Sequence, residues 1–201
     1  MTTPRDLLLV TMDLPADSPV EQGDLSLALA GAELLDLIDA HALTLDGDRI
    51  VPGPQSAMDD RLLYEAASSL SRQAPYETVE DWLWRRGRGL SAAYLAVLEA
   101  EGGVTRRRHR WIPLPEGRST LVDSPARRHA ADRWASGEPV LAGLAAAVRI
   151  HGGPATDRAR LADGPVLTVL ATVNDAVTEL EAVRQRRRIE DAAFDNIWRG
   201  Q

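Results

Sequence analysis

Asp24-Leu-Ser-Leu-Ala-Leu-Ala-Gly-Ala-Glu-Leu-Leu-Asp-Leu-Ile-Asp-Ala-His-Ala42 decides the fold class. Asp24 is placed to cap a helix N-terminus. Leu25, Leu27, Leu29, Leu34, Leu35 and Ile38 then recur at the spacing of an apolar helix face that runs on to Ala42. Ala28, Ala30, Gly31 and Ala32 are small enough to let a second helix approach closely. The stretch therefore predicts a long helix at the centre of a helical protein.

Outward from it, residues 5–12 (RDLLLVTM) form a short apolar segment ended by Asp13 and Pro15. On the other side Leu43-Thr-Leu alternates, Asp46-Gly47 signals a tight turn, and Arg49-Ile-Val returns, which predicts a small hairpin. Helices are expected over 57–72, over Thr78–Arg86 with Thr78 as cap, and over Leu90–Glu101 before the stop at Gly102-Gly103. Val104–Leu114 and Ser119–Val122 read as a second hairpin. Further helices are expected at about 124–136 and 138–150, then a long one from Val166 to Trp198 with a break near Arg187. No repeat or low-complexity linker interrupts the chain. The expectation is a mainly α, single-domain helical bundle over 1–201 with one or two small β-hairpins.

The 201 residues include no cysteine, so disulfides, thiolate metal sites and a thiol nucleophile are excluded. The apolar run Leu7–Val10 is too short for a secretory leader, and no stretch approaches the roughly 20 apolar residues of a membrane span. A cytoplasmic protein is expected, and one that meets a membrane only from its surface. His41, His109, His129 and His151 lack metal-ligand spacing. There is no Gly-x-Ser-x-Gly elbow and no phosphate-binding glycine loop. Asp36/Asp39 and Asp59/Asp60 are expected on solvated faces. Neither a catalytic residue, a metal site nor a cofactor is expected, and the protein reads as a non-enzyme.

All 23 basic residues are Arg, part of which looks like the codon bias of a high-GC bacterial genome. The net charge is −7, yet residues 82–118 carry eight Arg against three carboxylates. Two clusters make up this basic segment. Trp82-Leu-Trp84-Arg85-Arg86-Gly-Arg88 precedes the helix at 90–101, and Arg106-Arg107-Arg108-His109-Arg110-Trp111-Ile112 follows it. A helix of about twelve residues is roughly 18 Å long, so a hairpin folded back along it would bring the clusters to one surface. Guanidinium groups match phosphate bidentately, and indole favours the headgroup level of a bilayer. Arg85, Arg86, Arg88, Arg106, Arg107, Arg108 and Arg110 are thus the expected anion-binding set, with Trp84, Trp111 and Ile112 as membrane contacts. Other readings stand beside this one. Trp82 has core spacing, Trp84 suits core or contact, and Arg85, Arg86 and Arg88 suit ordinary salt bridges.

Several stretches resemble one family in order and spacing. They are Asp6-Leu-Leu-Leu-Val-Thr-Met-Asp13, Leu27-Ala-Leu-Ala-Gly-Ala-Glu-Leu-Leu-Asp-Leu37, Leu43-Thr-Leu-Asp46, Pro75-Tyr-Glu-Thr-Val-Glu-Asp-Trp82, Ala96-Val-Leu-Glu-Ala-Glu-Gly-Gly-Val104 and Pro139-Val-Leu-Ala-Gly-Leu-Ala-Ala-Ala-Val148. Together they resemble the Golgi phosphoprotein 3 family, including its bacterial members. That resemblance implies a helical bundle with a projecting hairpin and a peripheral adaptor that binds phosphatidylinositol 4-phosphate and holds other proteins. It also implies a homo-oligomer through the 104–122 hairpin. The family's headgroup positions fall here on Glu21, Ala30, Gly89 and Ala92, where none of its Trp or Arg residues is kept. A carboxylate at Glu21 opposes a phosphate by simple Coulomb repulsion. Two other readings remain: a divergent member that works by protein contacts alone, and a winged-helix-like nucleic-acid binder, disfavoured by the acidic net charge.

Overall fold

The computed structural model describes residues 2–15, 20–54, 58–106, 119–150 and 164–199, with backbone alone at 105–106, 119–120 and 193–199. Eight helices are described: α1 (Thr3–Asp13), α2 (Gln22–Asp39), α3 (Arg61–Ser68), α4 (Val79–Arg86), α5 (Leu90–Ala100), α6 (Pro125–Ala135), α7 (Pro139–Ala147) and α8 (Gly164–Arg199). Four strands pair as two antiparallel ribbons, β1 (Leu43–Asp46) with β2 (Arg49–Pro52) and β3 (Val104–Arg106) with β4 (Ser119–Leu121).

The central stretch is a helix, as its leucine spacing predicts, but it is buried nearly all round rather than on one face. Leu25 through Leu35 and Leu37 are all withdrawn from solvent. A helix apolar on every side belongs inside a bundle, and α2 touches α1, α3, α4, α5, α7 and α8. It begins two residues before the expected cap: Glu21 is the N-cap, and Asp24 lies in the first turn. The apolar run at 5–12 proves to be α1, whose N-terminal amide at Thr3 donates to Asp36 Oδ2 at 2.8 Å.

The Asp46-Gly47 turn forms as read. Asp46 pairs with Arg49, and Gly47 takes φ +63°. The helix expected over 57–72 is shorter, because Asp60 Oδ1 accepts from the Leu62 and Leu63 amides and fixes the start at Arg61. Thr78 caps α4 as expected, accepting from the Asp81 amide at 3.0 Å. The break expected near Arg187 is absent. Gln185 to Arg188 are good helix formers with no Gly or Pro among them, and α8 runs unbroken for 36 residues.

The buried apolar side chains form one contiguous cluster drawn from all eight helices. Helix α2 packs closely against α8. A Cβ at Gly31 would overlap Val173 Cγ2, and Val173 is itself fully buried in α8. Gly31→Ala is accordingly expected to cost about 1–3 kcal/mol through overpacking. A lowered urea midpoint with an unchanged slope checks this.

Candidate functional site

The first basic cluster does not face outward as a unit. Trp82 is fully buried, and its Nε1 donates to the Ala30 carbonyl at 3.1 Å, which anchors α4 on α2. Trp84 is half-buried and packs against the core, with part of the ring left accessible. Arg85 lies over the Trp82 ring, 5.0 Å from its centroid, and pairs with Glu77 through Nε at 2.6 Å and Nη2 at 2.7 Å. Hydrogen bonding to Glu77 raises the Arg85 pKa.

Arg86 is not the outward anion-binding side chain expected from the sequence. It turns inward and grips fully buried Glu33 with two bonds of 2.8 Å, and it also donates to the Leu62 carbonyl. The Tyr94 hydroxyl donates to the same carboxylate at 3.0 Å. Burial pushes the Glu33 carboxyl above the ordinary range, against the opposing pull of Arg86 and Tyr94. A guanidinium already held by both carboxylate oxygens has no fork left for a phosphate.

Arg88 is exposed and has no hydrogen bond or ion pair to any described residue. Arg106 begins the second basic stretch on the backbone of β3, beyond the far end of α5. Eleven helical residues, about 16 Å of rise, separate the two ends. Arg107, Arg108, Arg110, Trp111 and Ile112 lie outside the described residues. The expected convergence of the two clusters therefore lies outside the described residues.

A different set gathers near Arg88. The first turns of α2 collect three elements within about six residues, roughly 9 Å of helix. Gly87 sits against the Ser26 carbonyl and Leu27, where a Cβ would lie 3.4 Å from each. Gly89, at φ +70°, opens α5, whose Ser91 donates its amide to Ser26 Oγ at 3.1 Å and its hydroxyl to the Gln22 carbonyl at 3.3 Å. Leu180 and Arg184 of α8 lie over Gly23, and Arg184 pairs with Asp24 at 2.7 Å.

The N-cap residues of α2 and α5, Glu21 and Gly89, make no side-chain capping bond, although Ser26 Oγ accepts from the Ser91 amide in the first turn of α5. Amides and helix dipoles at such ends favour negative charge. Arg187 follows Leu180 and Arg184 on the stripe of α8 that packs on α2, which carries it past the α2 N-terminus. It is exposed and has no partner among the described residues. Arg188 is shared with Glu181 at 3.1 Å but is still 69% exposed. The carboxylates here are Glu21, Asp24 and Glu181, the last two engaged by Arg184, with Glu190 and Asp191 one turn beyond Arg187 on α8. Glu21, Gly89 and Ala92 border this end, whereas Ala30 is buried beneath Trp82. The run Arg184-Gln-Arg-Arg-Arg188 was visible in the sequence as charge, but only the fold carries it to the start of α2.

The other end of α2 borders a cleft of about 580 Å³ lined by Asp36, Asp39, His41, Arg133 and Glu138 among apolar side chains. Its polar groups are largely occupied. Asp36 serves the α1 amide, and Arg133 bridges buried Asp6 at 2.6 Å to Glu138 at 2.8 Å. Asp36 is half-buried rather than solvated, and burial raises its pKa. Among the described residues no group of three His, Asp or Glu side chains is placed to hold a metal.

Glu33, Asp36 and Asp24 all hold their protons more tightly in the folded state, chiefly through burial. Their contribution to stability is therefore greatest at or below the ordinary carboxylate pKa of about 4, and declines as pH rises through the raised values. Asp36→Asn keeps an oxygen for the Thr3 amide and is expected to flatten part of that decline. Urea midpoints from about pH 4 to pH 7 test this.

The family model described as Golgi phosphoprotein 3 (GPP34) matches residues 4–190. No curated protein matches the chain. No helix among the described residues is long and apolar enough to cross a membrane.

Proposed function

The chain belongs to the Golgi phosphoprotein 3 family, and from that premise we propose that it is a non-enzymatic adaptor that rests on anionic lipid through the α2/α5/α8 end. The observation that carries this reading is the pair Arg88 and Arg187, two exposed guanidinium groups without carboxylate partners among the described residues, beside the N-termini of α2 and α5. Each basic side chain near an anionic leaflet is worth about 1 kcal/mol. With Arg188 the patch supplies about 3 kcal/mol, a weak tether that salt releases.

The same geometry argues for charge reading rather than selective recognition of phosphatidylinositol 4-phosphate. Glu21 stands at the start of α2 where the resemblance would put a phosphate-binding side chain, and Arg86 is committed to Glu33. Flotation with vesicles tests both statements. The protein is expected to float with phosphatidylserine vesicles at low salt and to be released at high salt. Phosphatidylinositol 4-phosphate at matched surface charge is expected to add nothing. Absence from anionic vesicles at low salt would favour the second reading, a family member acting through protein contacts alone, which the neutralised Arg85 and Arg86 support. Nucleic-acid binding is the weakest alternative, since α5 carries no basic residue for a groove.

A further inference from the structure

Helix α8 outlasts the body it packs on. Its 36 residues span about 54 Å, against about 27 Å for the 18 residues of α2. Packing on α2 ends with Leu180 and Arg184 over Gly23. Every residue from Gln185 to Ala192 is exposed, and the helix backbone continues to Arg199. An isolated helix of this length gains little stability in water. Ile189, 63% exposed, is the most exposed large apolar side chain among the described residues.

Charge changes sign at that isoleucine. Arg184, Arg186, Arg187 and Arg188 precede it, and Glu190 and Asp191 follow. Turned end for end about Arg188, the segment brings Arg186 level with Glu190. Arg186, Ile189 and Glu190 stand at i, i+3 and i+4 and so share one stripe. That stripe faces away from Val173, Val177, Leu180 and Arg184, the side that packs on α2. Arg186 and Glu190 form no ion pair with each other or with any other described residue, so both charges are available to a partner.

We propose that this stripe is an interface with a second copy of the chain, two α8 extensions crossing antiparallel at the level of Arg188, so that Ile189 of each packs beside its copy and Arg186 of each stands level with Glu190 of the other. Such a two-fold contact is isologous: one patch meets itself and the assembly closes at two. One isoleucine and two exposed ion pairs make a small contact, so the dimer is weak and reversible. The interface leaves Arg88 and Arg187 uncovered and does not depend on lipid binding.

Sedimentation equilibrium of the full chain, to concentrations on the order of 500 µM, tests the proposal. Arg186→Glu alone and Glu190→Arg alone each place like charges across both pairs and are expected to weaken association about tenfold or more. An equimolar mixture of the two variants restores opposite charges at both pairs and is expected to associate as the wild type does. Both positions lie beyond the core, and circular dichroism checks that each variant stays folded. Ile189→Ser is expected to weaken association as well. A wild type that stays monomeric throughout, a mixture no stronger than either variant alone, or variants that all associate like the wild type would each overturn the interface.

Discussion

Arg86→Ala is expected to lower the unfolding free energy by about 3–5 kcal/mol, a large part of the total for a domain of this size. The reason is what remains behind. Glu33 is fully buried, and without Arg86 its carboxylate keeps only the Tyr94 hydroxyl. Burial has already raised its pKa, and loss of the cation raises it further, so the variant is expected to regain some stability as the pH falls. Replacing both partners, Arg86→Met with Glu33→Met, removes the uncompensated charge and is expected to cost less than Arg86→Ala alone. Urea unfolding of the two variants at neutral and mildly acid pH gives both numbers. Equal losses would mean that the pair contributes only its packing.

Trp82→Ala is expected to cost a similar 3–5 kcal/mol, because the side chain is wholly enclosed between α4 and α2. Trp82→Phe keeps most of the volume and gives up the bond to the Ala30 carbonyl, at an expected cost of about 1 kcal/mol. Either change takes from Arg85 part of the ring it lies over, yet Glu77 still holds the guanidinium. Binding to anionic vesicles, measured on the folded fraction, is therefore expected to stay unchanged in both. Thermal melts and flotation on the same preparations separate the stability effect from the binding effect.

These two side chains also mark how far the sequence could be read. Trp82 was legible as a core residue because its neighbours show local helical spacing. The Asp46-Gly47 turn and the Thr78 cap were legible for the same reason, since each is decided within four residues. Arg86 was not legible. Its partner Glu33 lies 53 residues away, and no local pattern distinguishes an arginine aimed at a buried carboxylate from one aimed at solvent. The α2 stripe predicted a helix but not its depth of burial, which depends on how many other helices surround it. The apolar run of α1 was too short to display a 3.6-residue period. The basic run of α8 was plain as composition, but its value depends on α8 lying antiparallel to α2, so that Arg184 and Arg187 arrive at the end where Arg88 stands.

The proposed adaptor role and the proposed self-association use opposite sides of the same helix extension. If both hold, a dimer would present two copies of a weak lipid patch, and the second copy would bind at high effective concentration once the first is docked. Lipid retention would then rise with protein concentration more steeply than a monomer allows, and Ile189→Ser would remove that excess while leaving the monomer's own affinity.

The most direct test of where the anion-facing surface lies is the affinity for phosphatidylserine vesicles of Arg88→Glu combined with Arg187→Glu, set beside Arg85→Gln. At about 1 kcal/mol for each charge removed, the double reversal is expected to weaken binding at least about tenfold, while Arg85→Gln leaves it near the wild-type value. Binding that survives the double reversal, or falls as far with Arg85→Gln, would contradict the assignment of this end of the molecule to the membrane.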